Sequence, residues 1–539
     1  MTKSNFLLII LLVLSLLLRV TSLGQFPAGL NADEAAIGYN AWSLIQTGKD
    51  EHGTSWPLVF RSFDDYKPPV YFYIVLPFVY FLGLTVEAVR LPSALLGTIS
   101  VWFVYKLALL FLKQKKTPSL LLGLIFSTAP WAIHFSRGGW EVNAALTFIL
   151  AGIYFFYQSL KNPKSFYLFP LFFALSLYTY HSARIISPLL ALALLVLYSK
   201  KLLALNKTSK SIVFGLVLGF VVSLPLAAQM LSKEGQSRFT GVSVFSDSGP
   251  LWQALELRRE HEQGLYTRLI HNKYLSYSLR FVENYLSHLS PRFLFINGDE
   301  IARSKVPGTG QFFSFLAPFY LFGLCYLLKQ KTKISRFILF WFFISPLAAS
   351  LTFQSPHALR SHNMVVPVSF VILSGFWGLV SSTKRKIIPV GVFSLLTAYF
   401  LVVYLHNYYY VYPRQLPYAW QYGFDQISSY VQENGSKYDK IIITDRYDQP
   451  YILLAFFLKY PPEKMQKEIV MTPRDKFGFS TVKNFANFEF KTINFREDIK
   501  NNNTLIISAD EPVDEKYLID TIKDPGGKTM YKILTNEKK

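Results

Sequence analysis

The sequence predicts a polytopic α-helical membrane protein carrying a small α/β domain outside the membrane at its C-terminal end. Three observations predict this. Apolar runs near the ~20-residue length that crosses a bilayer recur up to Leu405. The short loops between them hold most of the basic clusters. Beyond His406 the chain turns polar, with short strand-like runs alternating with helix-like ones.

The composition narrows the class further. Of the 539 residues, 51% are hydrophobic, and the net charge is +21. That charge does not indicate nucleic acid, because much of it lies in Lys113–Lys116, Lys161–Lys164, Lys200–Lys210, Lys329–Lys333 and Lys384–Lys386, where the positive-inside rule places it. The single cysteine, Cys325, permits no intrachain disulfide. There is no zinc-ligand spacing, Walker loop or GxGxxG, which argues against an ATP-driven pump on this chain.

The first apolar run, Phe6–Val20, follows Lys3 and lacks a convincing A-x-A cleavage site, so it reads as a retained span rather than a signal peptide. The polar stretch 24–67 is then outside. The next run, PPVYFYIVLPFVYFLGL at Pro68–Leu84, is short, aromatic and broken by Pro77. Were it to cross, every later basic loop would fall outside. It therefore reads as an interfacial helix, and residues 24–87 as one outer loop. The remaining spans are expected near Val89–Leu112, Pro118–Phe135, Val142–Leu160, Ser165–Tyr180, Ile185–Tyr198, Ser211–Leu231, Phe312–Leu328, Ser335–Thr352, Met364–Val380 and Ile387–Leu405. With the first run this makes about eleven by hydropathy and charge bias. The N-terminus is then cytoplasmic, and 232–310 forms a large outer loop. Residues 1–405 form the membrane domain and 406–539 the extracytoplasmic one. In the latter, Lys440–Thr444, Glu468–Met471, Phe488–Asn494, Thr504–Ser508 and Met530–Thr535 read as strands, and Gly423–Asn434 and Gln449–Lys459 as helices. The expected setting is a plasma (inner) membrane, bacterial in character.

This topology collects the chemistry-bearing residues on the outer face. Asp33-Glu34 follows the first span. Asn31 or Asp33 can cap the helix that comes next, and acidic residues suit its first turn; a carboxylate at that boundary also suits a general base taking a proton from an attacking hydroxyl. Asp64-Asp65-Tyr66-Lys67 precedes the interfacial segment. Its carboxylates suit a solvated turn, a sugar hydroxyl or a divalent cation, and Lys67 suits a lipid phosphate at headgroup level or plain snorkelling. Arg137 and Glu141 share one short outer loop and could form an ion pair. His181 and Arg184 share another, and Arg360 lies between His357 and His362 in a third. Outer arginines run against the positive-inside bias, and a guanidinium binds phosphate bidentately. Asp299, Glu300 and Arg303 sit in a Gly-rich loop that local turns can explain. Together these residues outline an outward pocket with a phosphate-bearing, lipid-accessible ligand beside a carboxylate. Transfer of a group from a lipid phosphate to a hydroxyl fits such a pocket.

The ordered set Asp33-Glu34, Lys67-Pro68-Pro69-Val70-Tyr71-Phe72, Val89-Arg90-Leu91-Pro92-Ser93-Ala94 and Ser136-Arg137 with Glu141 resembles the GT-C membrane glycosyltransferases. It resembles in particular the bacterial protein-mannosyltransferase-like and aminoarabinose-transferase-like enzymes, which depend on dolichyl- or polyprenyl-phosphate sugars. The resemblance implies inverting transfer of a hexosyl or pentosyl group from a polyprenyl-phosphate donor on the outer face. The acceptor would be a hydroxyl of protein, lipid or glycan. Carried over, Asp33 is the catalytic base, with Glu34 positioning base or acceptor. Lys67 binds the donor phosphate, with Arg137, Arg184 and Arg360 as further candidates. Asp64, Asp65, Tyr66, Glu141, His181 and His357 would contact substrate. No cofactor is certain, and a divalent metal stays open. The competing readings are a transporter or flippase of a lipid-linked sugar, disfavoured by the lack of repeats and of mid-span charges, and a catalytically inert scaffold.

Overall fold

A computed structural model describes residues 3–63, 65–206, 209–232, 241–261, 264–381, 383–474, 480–500 and 503–536. The chain clusters into two compact units. The first comprises Met1–Arg19, Leu96–Phe135 and Glu141–Tyr404; the second comprises Val20–Leu95, Ser136–Trp140 and Leu405–Lys539. Residues 24–87, expected as an outer loop of the membrane domain, thus share a unit with the C-terminal segment.

Among the described residues, seven helices are long and apolar enough to cross a membrane: Val86–Phe111, Glu141–Ser159, Ala183–Asn206, Ser211–Met230, Lys333–Ser350, His362–Ser381 and Ile387–Gln415. Their residues are Leu-, Ile-, Val- and Phe-rich with few charges, and several leave large apolar side chains exposed, as lipid-facing helices do. Lys116–Thr128 and Pro130–Arg137 form a pair bent by 54°; Pro130, which cannot continue a helical hydrogen-bond ladder, marks the break. Ser4–Val20, Val70–Leu82, Pro163–Leu177 and Ser314–Lys329 are shorter apolar helices. The helix expected to be short, around Ile185–Tyr198, instead runs from Ala183 to Asn206. Pro188, its sixth residue, lies inside the helix and removes one bond from the backbone ladder.

In the first unit, Ala317–Lys329 and Val365–Ser381 cross at two glycines. A Cβ on Gly323 would lie 1.8 Å from the Val371 carbonyl oxygen, and one on Gly375 would lie 1.9 Å from that of Phe319. Only glycine permits this backbone approach, the membrane equivalent of small-residue helix packing. The expected outer loop 232–310 holds the helices Gly249–Glu260, Leu265–Ile270 and Lys273–Leu289 among its described residues.

In the second unit, Phe60–Ser62 (β1) and Asp65–Lys67 (β2) form an antiparallel hairpin, pairing Phe60 with Lys67. A seven-stranded sheet follows, built from Lys440–Thr444 (β3), Val470–Met471 (β4), Val482–Phe485 (β5), Phe488–Lys491 (β6), Thr504–Ser508 (β7), Leu518–Lys523 (β8) and Thr529–Thr535 (β9), in the order β4-β5-β6-β3-β7-β9-β8. The centre, β6-β3-β7, is parallel. KIIIT and TLIIS are near-continuous aliphatic runs because both faces of these strands are covered. The helices Phe424–Asn434 and Pro450–Phe457 lie where 3.6-residue periodicity places them. Helix Ala32–Thr47 packs against Pro450–Phe457 through Gly38, where a Cβ would come within 2.6 Å of the Phe456 ring and of Val89. This contact seats the helix that bears Asp33.

Candidate functional site

The second unit builds its site on the first turn of helix Ala32–Thr47. Asn31 is the N-cap: its Oδ1 accepts from the Asp33 and Glu34 amides at 3.0 and 3.2 Å. Glu34 completes a capping box, its Oε2 accepting from the Asn31 amide at 3.3 Å. The Ala32 amide donates to Gln421 Oε1 at 2.7 Å. Gln421 in turn donates to the Tyr447 carbonyl at 2.6 Å. The helix start is thus held from both sides.

Asp33 and Glu34 are adjacent, yet they have opposite surroundings. Glu34 is fully buried, and Arg90 grips it with two prongs, Nε to Oε1 at 2.9 Å and Nη2 to Oε2 at 3.0 Å. The Gly139 amide adds a donor to Oε1 at 2.7 Å. Arg90 spends its remaining donors on the Leu23, Pro27 and Gly29 carbonyls at 3.1, 3.0 and 2.6 Å, and lies 5.4 Å from the Trp420 ring centre. Glu34 and Arg90 therefore bolt three chain segments together. The Glu34 carboxylate is thus saturated by donors from Asn31, Arg90 and Gly139.

Asp33 faces outward, its side chain 28% exposed, and forms an ion pair with the buried Lys67. Hairpin β1–β2 delivers Lys67, whose ammonium sits 5.2 Å from the Phe63 ring centre. Phe60, the cross-strand partner of Lys67, is stacked on Phe72 at 4.0 Å, which anchors the hairpin to helix Val70–Leu82. A half-accessible carboxylate and a buried ammonium, each fixed by its own backbone, are the parts that a proton acceptor beside an anionic leaving group requires. Asp65 and Tyr66 lie on β2 and are half-buried; Asp64 lies outside the described residues. Among the described residues no group of three or more His, Cys, Asp or Glu side chains could hold a metal.

Arg137 also belongs to this unit, fully buried. Its Nη2 donates to the Thr21 and Phe26 carbonyls at 2.7 and 3.2 Å. Its guanidinium lies between the Tyr408 and Tyr409 rings at 5.1 and 5.2 Å. These contacts make it a clamp on the segment that follows the first apolar run.

The first unit holds the other expected residues. His181, Arg184 and Arg360 line one cavity of about 170 Å³ with Tyr180, Met230 and Thr352. Two arginines thus meet at one cavity. His357 is buried 4.0 Å from Asp299, and its amide donates to His288 Nε2 at 3.0 Å. Asp299 accepts from the Ile301 and Ala358 amides at 2.9 and 2.6 Å. Burial nonetheless pushes its carboxyl up to about 6. His288 Nδ1 contacts the Asn284 carbonyl at 2.7 Å, and burial lowers its pKa to about 4, so the ring is neutral, with Nδ1 donating. This cluster knits the Gly-rich loop to the 355–362 loop through Asp299, Ala358 and His357. Glu141 is buried at the start of helix Glu141–Ser159.

Two site features were not foreseen. Glu51, in a turn that reads as solvated, is fully buried, bonded to Asn40 Nδ2 at 3.0 Å and to the Tyr451 hydroxyl at 3.3 Å. Burial, opposed by these bonds and by Lys67, raises its pKa to about 7. A cavity of about 520 Å³ in the second unit is lined by Tyr409, Tyr410, Arg414, Gln421, Tyr422 and Asp425 among others. Its walls come from segments far apart in sequence, and no local motif marks them.

Comparison with known proteins fits this architecture. Residues 66–228 match the family of dolichyl-phosphate-mannose-protein mannosyltransferase. No curated protein matches the chain by sequence at a significant level. The structure of ArnT from Cupriavidus metallidurans bound to undecaprenyl phosphate is similar at a TM-score of 0.56 and 12% identity, over 99% of this chain and 98% of that one. The apo state of that ArnT gives 0.53 and 11%, over 99% of both chains. The apo oligosaccharyltransferase of Archaeoglobus fulgidus gives 0.51 and 11%, over 94% of this chain and 69% of that one. The class is therefore defined: this is a multi-pass membrane protein with the GT-C fold of membrane glycosyltransferases. Within that class, the segment that is similar to the mannosyltransferase family model runs from Tyr66 to Ala228 and begins one residue before Lys67.

Proposed function

We propose that the protein transfers a sugar from a polyprenyl-phosphate donor to a hydroxyl acceptor at the outer face of the plasma membrane, with inversion. The observation that carries this reading is the Asp33–Lys67 pair, an outward-facing carboxylate and a buried ammonium on separately braced elements. In the step, the acceptor hydroxyl attacks the anomeric carbon and the carbon–oxygen bond to phosphate breaks. The hydroxyl proton passes to Asp33, and the electron pair leaves with the lipid phosphate. Lys67 has three donors, so it can hold the leaving phosphate while it still touches Asp33. Glu34 and Arg90 keep Asp33 in place. In the first unit, Arg184 and Arg360, with His181, are further candidates for binding a lipid phosphate. Asp65, Tyr66, Glu141 and His357 are secondary candidates for substrate contact. The fold neighbour ArnT was crystallised with undecaprenyl phosphate, which supports a lipid phosphate as the donor carrier.

We also read three of the shorter apolar helices, all but Val70–Leu82, as crossing the membrane, with Val70–Leu82 at the outer interface. This gives a cytoplasmic N-terminus and an extracytoplasmic C-terminal domain from residue 406. A cysteine placed at Gln114 should react with an impermeant reagent only after the membrane is opened; labelling in intact cells overturns the topology. For the activity, the full chain in proteoliposomes is offered a panel of labelled undecaprenyl-phosphate hexoses and pentoses. Labelled acceptor and free undecaprenyl phosphate are both measured. A flippase would move donor across the bilayer and release no undecaprenyl phosphate.

A further inference from the structure

The first unit contains a cavity of about 370 Å³ at the ends of its helices where the Lys113–Lys116 and Lys329–Lys333 clusters lie. Its floor is apolar and formed by Phe111, Leu327, Ile338, Phe370, Leu373 and Trp377. Its rim is polar and basic: Lys113, Lys115, Gln330, Thr332 and Ser335. Two helices begin at this rim. Lys116–Thr128 starts from Lys115, which makes no side-chain cap bond, and Lys333–Ile344 starts from Thr332. Both helix N-termini carry partial positive charge; at the second, the Thr332 hydroxyl already caps the Ser335 amide at 3.0 Å. Lys113 and Gln114 are held in the left-handed region at φ +52° and +65°. That conformation is costly for residues with a Cβ, and it turns the chain so that Lys113 and Lys115 share the rim.

The one acidic residue in the helices that build the cavity is Glu87, in the first turn of Val86–Phe111 and at the opposite end of that helix from Phe111. Neither Ala88–Trp140 nor Ile301–Phe424 contains a single Asp or Glu. Two lysines and two helix N-termini around an apolar floor match an anion with a hydrophobic body. A soluble anion would leave the partly exposed Trp377 uncovered, whereas a lipid with acyl chains covers it. Tyr326, 45% exposed at the edge, provides an amphipathic wall at headgroup level. We propose that this cavity is a binding site for an anionic glycerophospholipid, its phosphate between Lys113, Lys115 and the two helix starts, and its chains over the apolar floor. The site stands apart from the Asp33–Lys67 chemistry and does not depend on it.

The test uses the full chain, delipidated in detergent and titrated with phosphatidylglycerol, phosphatidylethanolamine or inorganic phosphate. Adducts are counted by native mass spectrometry, and thermal stability is followed alongside. Phosphatidylglycerol should bind at about thirtyfold lower concentration than phosphatidylethanolamine, as expected for two lysines worth roughly 1 kcal/mol each near a lipid surface. Lys113→Gln/Lys115→Gln should abolish that preference, whereas Lys113→Arg/Lys115→Arg and the control Lys161→Gln/Lys164→Gln should keep it. Equal binding of the two lipids overturns the proposal, as does a folded glutamine variant with its preference intact, or stabilisation by inorganic phosphate equal to that by lipid. If the glutamine variant does not fold, phosphatidylglycerol with brominated chains decides: the wild type should be quenched more than Trp377→Phe, and equal quenching refutes the site.

Discussion

Arg90→Met should be among the most damaging single substitutions in the second unit, and its cost can be worked from the structure. Both Arg90 and Glu34 are completely buried and joined by two bonds. Removing one member of such a pair leaves an uncompensated buried charge, which costs about 3–5 kcal/mol. Arg90→Met also strips a donor from the Leu23, Pro27 and Gly29 carbonyls, each worth about 1 kcal/mol. The expected loss is therefore at least about 5 kcal/mol, a large share of the ~5–15 kcal/mol that holds a domain folded. Glu34→Gln should cost less, about 3 kcal/mol, because Arg90 keeps its carbonyls and the Trp420 face. The double variant should recover about 2 kcal/mol relative to additivity, since neither charge is then stranded. Thermal unfolding in detergent, followed by tryptophan fluorescence, reports this directly, because Trp420 lies 5.4 Å from the guanidinium. The reasoning is refuted if Arg90→Met melts like the wild type, or if the two substitutions add.

Lys67→Met should lower transfer by at least 100-fold through kcat and weaken donor binding, while Lys67→Arg keeps part of both; unchanged kinetics in Lys67→Met would remove Lys67 from the phosphate site. Glu51 makes stability depend on pH. Its folded pKa of about 7 lies above the ordinary 4.5, so the folded state binds the extra proton between those values and stability falls as pH rises through that window. The total is on the order of 3 kcal/mol. Glu51→Gln should flatten the melting temperature between pH 4.5 and 7, and an unchanged slope would show that Glu51 titrates normally.

How much of this was legible in the sequence differs by residue. The aliphatic strands KIIIT and TLIIS were, because buried parallel strands leave a run that nothing else resembles. β5 and β8 were not, since VKNF and LIDTIK mix polar residues in proportion to their partial exposure. Asn31 as cap and the DE pair after the first apolar run were readable from the capping pattern. Which carboxylate of that pair is buried was not, because it depends on Arg90, 56 residues away. Arg90 itself was visible within its RLPSA motif, yet its role was not, because a buried arginine and an outer phosphate-binding arginine look alike in one dimension. Arg137 shares that ambiguity: its contacts with the Thr21 carbonyl and two tyrosine rings are visible only in three dimensions. Glu51 escaped notice because KDEHGT has the composition of a solvated turn, and only the Tyr451 contact from the C-terminal segment buries it.

The central claim is that Asp33 takes the acceptor proton while Lys67 holds the leaving phosphate. Its most direct test is Asp33→Asn in proteoliposomes with a labelled undecaprenyl-phosphate sugar that the wild type uses. Transfer and release of undecaprenyl phosphate should both fall by at least about 100-fold, with donor still bound and the melting temperature retained. Transfer at the wild-type rate in a correctly inserted Asp33→Asn protein would contradict the account.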